Sequence, residues 1–439
     1  MLQAGIERAP LPPLRTELPS PAPGLTAPSD RVQVQTAEAP GQRDRTRDPY
    51  LDNAKYLTIV LVAVGHSWAP LTGDSRTTSA LYYLLYSFHM PAFIVISGYL
   101  SRGFECRPRQ IRRLIAGLVV PYVVFQTLFT FFMRWAADDP DREFRYQEPG
   151  FAMWFLVALC LWRLTTPIWK LLRWPLPVSV VIAVAASVTP SVNADLDLMR
   201  AAQFLPFFVL GLRLRPEHFE MVRRRAVRIL AVPVTAGALL ISYWAVPRIS
   251  GAPFLHDRAA QELGLPAWAG AVMTLASFGC ALVMTVCFLS WVPRRRMWFT
   301  TLGAGTLYAY LLHIYPLQVS QRFDWYGTYG ADLPLGRIGV TVLAAAMMTV
   351  LCAAPVRKTF RLLVEPRMRW FFSREANAPD GAPTGTSAGA SAGMPELPPA
   401  VPAPAPQLPP AAQRRELPPA PSLSGSGPGP GSGRPGTGP

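Results

Sequence analysis

Ten apolar stretches follow one another between residues 55 and 356, and Asp, Glu, Lys and Arg are almost absent from their interiors. They lie near 55–71, 78–100, 114–134, 151–169, 176–190, 201–214, 226–247, 267–292, 299–320 and 338–356. Roughly 20 apolar residues in a helix cross ~30 Å of hydrocarbon, so the chain is expected to fold as an all-α polytopic transmembrane bundle of about ten spans. The fifth and sixth stretches are short, which leaves open tilted partners, a re-entrant pair or displaced ends.

Charge supports a membrane class over a basic soluble one. Only 16% of the 439 residues are charged, against ~25% in soluble domains. The net charge of +15 does not point to nucleic acid, because a nucleic-acid reader gathers its basic residues on one soluble face. Here they alternate with spans.

Lys and Arg in short loops stay on the cytoplasmic side. The second-to-third connection carries Arg102, Arg107, Arg109, Arg112 and Arg113; the sixth-to-seventh carries Arg213, Arg215, Arg223, Arg224, Arg225 and Arg228; the eighth-to-ninth carries Arg294, Arg295 and Arg296. The third-to-fourth loop is acidic instead, with Asp138, Asp139, Asp141, Glu143 and Glu148. Both termini are therefore expected in the cytoplasm and the chain in the plasma membrane as a multi-pass protein. Trp68, Trp135, Trp154, Trp174, Trp244, Trp268, Trp291 and Trp298 fall near segment ends, where amphipathic rings favour the headgroup boundary.

Residues 1–47 and 376–439 are rich in Pro, Gly, Ala and Ser without hydrophobic periodicity. They read as disordered tails flanking a membrane domain over 48–375. The first tail lacks the apolar core of a cleavable signal peptide, so the first span is the expected targeting element. The five cysteines fall in spans or a cytoplasmic loop and show no metal-ligand spacing, so neither a disulfide nor a metal is expected. Lysine occurs only at 55, 170 and 358 while arginine is abundant, a composition typical of a GC-rich bacterial genome.

Ionisable residues inside a bilayer are costly and mark functional sites by default. His66, His89 and His313 each lie within an apolar stretch, and Lys55 precedes His66 by eleven residues. Eleven helical steps of 100° end 20° past three full turns, with a rise of about 16 Å. Lys55 and His66 thus share a helix face, a cation at the cytoplasmic mouth and an imidazole deeper in. A buried neutral imidazole can accept a proton. The plainer reading is an interhelical hydrogen bond at His66 with Lys55 snorkelling. His89 is followed by Pro91, which lacks an amide proton and opens the helix; the imidazole serves an acceptor or, equally, a structural bond. His313, between Tyr310 and Tyr315, is a further acceptor-site candidate. Asp52 and Asn53 suit a helix cap that steadies Lys55, and Ser97 and Gly98 suit close helix approach. Arg109 and Arg112 stand at i and i+3, a spacing that can present two cations to phosphate.

Taken together, Asp52-Asn53-Ala54-Lys55 with Gly65-His66, Phe88-His89-Met90-Pro91 running to Ser97-Gly98-Tyr99, and Arg109-Gln110-Ile111-Arg112 resemble the acyltransferase-3 family of integral membrane O-acyltransferases, above all its fucose 4-O-acetylase-like branch. Trp154-Phe155-Leu156, Phe204 to Phe208 with Gly211, and Tyr310 to His313 are similar to later family patterns. The resemblance implies a ten-helix enzyme that moves an acyl group, usually acetyl, from cytoplasmic acetyl-CoA to a hydroxyl of a carbohydrate or glycolipid acceptor. Acetyl-CoA is then a co-substrate and no cofactor is held permanently. The resemblance makes Lys55 and His66 the Arg/Lys-x10-His motif, with Lys55 in place of the commoner arginine and so without bidentate phosphate contact; Arg109 and Arg112 are its Arg-x-x-Arg. His66 would be general base or transient acyl carrier. Unlike some members of the family, the chain is not expected to work with an appended hydrolase-like extracytoplasmic domain. The alternative class is a transporter or flippase for a lipid-linked sugar with proton-relaying histidines, although no paired repeat of Gly/Pro-broken segments is visible.

Overall fold

The computed structural model describes residues 48–73, 75–190, 195–248, 259–366, 368 and 370–372. These belong to the first of two units, Met1–Ala382 and Pro383–Pro439. The tails expected over 1–47 and 376–439 lie outside the described residues. Among those described there are helices and no strand.

Each of the ten apolar segments is helical. The elements are α1 (Pro49–Trp68), α2 (Arg76–Tyr86), α3 (His89–Leu100), α4 (Pro108–Leu114), α5 (Val120–Ala136), α6 (Trp154–Leu164), α7 (Thr166–Leu171), α8 (Pro175–Ser187) and α9 (Leu198–Arg213). They continue with α10 (Pro216–Val222), α11 (Arg225–Ala245), α12 (Ala267–Trp291), α13 (Thr306–Leu312), α14 (Ile314–Arg322), α15 (Trp325–Thr328), α16 (Pro334–Leu351), α17 (Ala354–Thr359) and α18 (Arg361–Val364). Five helical runs among the described residues are long and apolar enough to cross a membrane: Arg76–Leu100, Pro108–Ala136, Arg225–Ala245, Ala267–Trp291 and Pro334–Leu351. The α1 helix has the length, but Asp52, Asn53 and Lys55 make its first turns polar. The α6 and α8 helices are apolar but short.

Prolines set the interruptions. Pro91 has no N–H for the Ser87 carbonyl, and its ring crowds that carbonyl. The chain therefore breaks at Ser87-Phe88, earlier than Pro91 itself, and Pro91 becomes part of the first turn of α3. A π-helical turn over Ile115–Val119 joins α4 to α5 just before Pro121, one of the ways a helix absorbs a proline without ending. Pro316 accompanies the break at His313 between α13 and α14.

Between helices in lipid, close packing and polar bonds replace the hydrophobic drive. The α3 and α9 helices touch backbone to backbone: a Cβ on Gly98 would sit 2.2 Å from the Phe208 carbonyl oxygen, and one on Gly211 would sit 2.2 Å from that of Val95. The α1 helix is held to α16 by Tyr56 Oη to Thr349 Oγ1 at 2.7 Å and Trp68 Nε1 to Thr341 Oγ1 at 2.9 Å. Around α1, a core of aromatic residues includes Phe125, Phe155, Phe207 and Phe208. The outer faces are apolar as well, with Leu240 71% and Ile241 68% exposed on α11 and Val342 63% exposed on α16. Such a surface is suited to lipid and not to water.

Six of the tryptophans expected at span ends are exposed: Trp135, Trp174, Trp244, Trp268, Trp291 and Trp298. Trp154 is not among them. It is buried beside the histidines, and its role is local to that site.

Candidate active site

Because α1 is continuous from Pro49 to Trp68, Lys55 and His66 do share one rigid helix. His66 falls in its last turn, closer to the end of the helix than a mid-span position. Its imidazole lines a chamber of about 250 Å³ together with His89, Tyr86, Phe151, Trp154 and Arg200. A larger groove of about 690 Å³ between α14 and α16 has no His, Lys, Arg, Asp or Glu in its lining. The smaller chamber, which holds the ionisable side chains, is therefore the candidate site.

Three imidazoles meet there although they come from three separate segments. His66 and His313 stack with ring centroids 5.6 Å apart and planes 28° from parallel. The Tyr86 hydroxyl is 3.3 Å from His66 Nδ1, and its ring meets His89 edge to face at 4.7 Å. Backbone carbonyls fix the tautomers of the outer two. His89 Nδ1–H donates to Leu85 O at 2.9 Å, and His313 Nδ1–H donates to Tyr310 O at 2.6 Å and Ala309 O at 3.2 Å. In each, Nε2 is left as an acceptor. His313 is fully buried, and its Nε2 has no hydrogen-bond partner. It stands behind His66 and does not line the chamber itself.

The chamber's other wall includes Phe151 and Ala152 of the 137–153 connection. Gln126 on α5 donates to Arg145 O and Glu148 O at 3.0 Å each and accepts from Gly150 N at 2.9 Å. Tyr122 Oη donates to Tyr146 O at 2.5 Å, and Leu196 N donates to Gln147 O at 2.5 Å. These bonds hold the 137–153 connection down, so that Phe151 meets His66 at 4.8 Å and the Tyr310 hydroxyl donates to Ala152 O. Phe151 has φ of +49°, a conformation that a bulky side chain adopts only where its surroundings impose it.

Arg200, in the first turn of α9, was not foreseen. Its guanidinium sits 5.2 Å from the Trp154 ring centroid and 3.6 Å from Asp197 Oδ2. The signal was present in the sequence: a lone arginine opens the segment 201–214 on the side where arginine is scarce. Tyr82, Tyr86 and Phe151 gave no such signal, since aromatics in apolar stretches are ordinarily core.

The other predicted residues gather at the far end of the bundle. Phe219 on α10 packs against Tyr50 on α1 at 6.0 Å and Tyr99 on α3 at 4.7 Å, which puts the start of α1 and the end of α3 together. Lys55 Nζ is 2.7 Å from Asp52 Oδ1. The expected capping role of Asp52 and Asn53 is corrected: the cap is Asp48, whose carboxylate accepts from Tyr50 N at 2.9 Å, because α1 begins earlier than its apolar stretch. Asn53 is fully buried and instead holds the 293–300 loop. Its Nδ2 donates to Pro293 O and Arg295 O at 3.0 Å each, while Oδ1 accepts from Thr300 Oγ1 at 2.6 Å. Arg109 and Arg112 lie on α4, which runs through the π turn into α5, so they do occupy i and i+3 of one helix. Neither these arginines nor Lys55 line the histidine chamber.

The acyltransferase domain family matches residues 48–357, which is well over half of the chain. The nodulation protein NolL of Mesorhizobium japonicum is 28% identical over 181 residues, covering 38% of this chain and 47% of that protein. The chain thus spans about half the length of this curated relative. No solved structure matches. This chain belongs to the acyltransferase-3 family.

Proposed function

Taking this acyltransferase as a membrane protein with a histidine chamber at one end of α1, we propose that it transfers an acetyl or short acyl group from cytoplasmic acetyl-CoA to a hydroxyl of a carbohydrate or glycosylated acceptor. The observation that carries the reading is the convergence of His66, His89 and His313, with His66 facing a chamber of about 250 Å³. The proposal includes ten spans, both termini in the cytoplasm and residence in the plasma membrane. It takes Lys55, Arg109 and Arg112 as contacts for CoA phosphates, which guanidinium and ammonium groups bind by charge-assisted hydrogen bonds. Asp52 steadies Lys55, and Asn53 shapes the basic 293–296 loop beside it.

His66 acts as general base in this reading. If Tyr86 accepts from His66 Nδ1–H and donates to Tyr82, with which it is hydrogen-bonded, His66 Nε2 carries the lone pair. That nitrogen takes the acceptor's hydroxyl proton as the oxygen attacks the thioester carbonyl. The C–S bond then breaks, and the imidazolium returns the proton to the leaving thiolate, which departs as CoA. The thioester has to reach about 16 Å along α1 from Lys55, a distance suited to the extended arm of CoA. The transporter reading draws no support from the family match.

Purified protein in detergent, given acetyl-CoA and a glycan panel, is expected to release free CoA, and His66→Ala to abolish the release. Retention of full turnover by that variant would end the assignment of His66. Rapid mixing with acetyl-CoA alone distinguishes base from acyl carrier, since only the carrier becomes acetylated in stoichiometric amount.

A further inference from the structure

We infer that the apolar groove between α14 and α16 holds the hydrocarbon anchor of a lipid-linked acceptor, whose phosphate meets Arg337 at the groove's outer end while its sugar enters the histidine chamber beside it. The inference rests on the reading of that chamber as the acceptor site.

The groove is shaped for a chain and not for a polar solute. It runs along α16 from Gly336 to Met347, eleven residues or about 16 Å, close to the depth of one leaflet of a ~30 Å hydrocarbon core. Glycine hollows the helix here: a Cβ on Gly339 would meet nothing within 4 Å. Leu343 belongs to the lining and is 65% exposed, and Ile338 and Val342 beside it are exposed too. The groove therefore opens sideways on a surface suited to lipid, and a chain can enter it from the bilayer without crossing water.

Two adjacencies tie the groove to the chamber. On α1, His66 lines the chamber and Ser67 the groove; on α14, Gln321 lines the chamber and Ser320 the groove. The two cavities lie back to back across the same pair of helices. Three of the groove's hydroxyls gather at this shared wall, where Tyr326 is in hydrogen-bonding contact with the side chains of Ser67 and Ser320.

Charge stands at the outer end. Arg337, next to Gly336, is half-buried, and its Nε is enclosed without a hydrogen-bond partner. One turn further on, Thr341 accepts from Trp68 Nε1, which brings this part of α16 to the end of α1 that carries His66 and Ser67. With both termini in the cytoplasm, as proposed, α16 starts at the outer face. Trp325 and Tyr329, which line that end of the groove, then stand where aromatic rings favour headgroups. A guanidinium at headgroup level with a chain-shaped groove below it matches a lipid phosphate whose tail points to the midplane. The phosphate selects this occupant: a neutral hydrocarbon gives Arg337 no oxygen to bind, and a two-chain phospholipid brings two tails to one groove.

The test maps contact directly and does not depend on turnover. Full-length protein in phosphatidylcholine nanodiscs is irradiated with hexadecyl phosphate carrying a diazirine in its chain, and the labelled peptides are identified by mass spectrometry. Hexadecanol and a phosphatidylcholine, each with the same diazirine, are the comparison probes. The phosphate probe is expected to label the groove residues of α14 and α16 roughly fivefold more than the exposed face of α11. Gly339→Phe, which fills the groove, is expected to remove that excess, Gly339→Ala to remove part of it, and Arg337→Gln to lower labelling by the phosphate but not by the alcohol. Even labelling of α11 and α16, an undiminished excess in Gly339→Phe, or equal labelling of the groove by the phospholipid probe would each overturn the inference. Should Gly339→Phe fail to fold, Arg337→Gln decides, since equal loss of both single-chain probes, or loss of neither, overturns it as well. In turnover, Gly339→Phe is expected to lose roughly tenfold of its CoA release with a prenyl-phosphate-linked glucose as acceptor and to keep it with methyl β-glucoside. Groove labelling as expected with no release of CoA from any acceptor would sink the transferase reading alone.

Discussion

The imidazole of His313 stacks on that of His66, 5.6 Å away by ring centroid and 28° from parallel, with its orientation settled by backbone: its one N–H, at Nδ1, is directed to the carbonyls of Tyr310 and Ala309. One ring is open to the chamber and the other is fully buried behind it. Proline at 316 helps to make this possible, because the helix break it accompanies sets His313 at the junction of α13 and α14.

From this pairing, His313→Phe is expected to keep the packing against His66 while removing a polar neighbour. The kcat should fall by tenfold or more on the scale of general acid–base effects, about 10²–10⁴ for loss of the base itself, with KM for acetyl-CoA unchanged. Steady-state release of CoA measures both constants. A variant with wild-type kcat would reduce His313 to a filler of space.

Tyr86→Phe removes the hydroxyl 3.3 Å from His66 Nδ1 and nothing else of the ring. The prediction is a roughly tenfold or greater loss in kcat, as expected when the partner that orients a catalytic imidazole is deleted. Binding of the donor, measured by titration with a non-hydrolysable CoA thioether, should stay as it was. Weakened donor binding with intact kcat would count against the orienting role.

Asn53→Ala leaves the carbonyls of Pro293 and Arg295 and the hydroxyl of Thr300 without this partner. Each unsatisfied buried group costs about 1–3 kcal/mol, so the melting temperature in detergent should drop clearly. If the 293–296 loop helps to hold the donor, KM for acetyl-CoA rises as well, and the rise relative to wild type shrinks as ionic strength increases, because salt screens the charges concerned. An unaltered melt would mean that water replaces all three bonds.

Gly98→Ala places a methyl group 2.2 Å from the Phe208 carbonyl oxygen, so α3 and α9 must separate. Overpacking of this kind costs about 1–3 kcal/mol or more. Since α9 carries Arg200 and α3 carries His89, activity should fall together with thermal stability. Ala at Gly117, where nothing stands within 4 Å, provides the control and should melt near the wild type.

The helical segments were legible because hydropathy is a local property: all ten apolar segments are helical, and among the described residues five helical runs are long and apolar enough to cross a membrane. Their ends were less so. The α1 helix starts at Pro49, ahead of its apolar stretch, because Asp48 can cap it and the polar side chains of Asp52, Asn53 and Lys55 find partners in the fold. The histidines stood out as costly residues in apolar surroundings, but nothing in the sequence says that His66 and His313, 247 positions apart, stack on each other. Trp154 read as a boundary anchor because span ends and site rims attract the same ring. Arg200 was hidden among many arginines, although its place on the acid-rich side set it apart.

The size and roofing of the chamber bear on what a product looks like. At about 250 Å³ it lies below the ~300–1,000 Å³ of pockets that enclose drug-sized ligands, and Gln126 ties its cover to α5 through three hydrogen bonds. With the carbohydrate acceptor proposed above, a single monosaccharide unit would fill it. On a polymer, then, the enzyme would decorate termini or short side branches and leave internal links untouched, so that the number of modified units tracks the number of chain ends and not chain length.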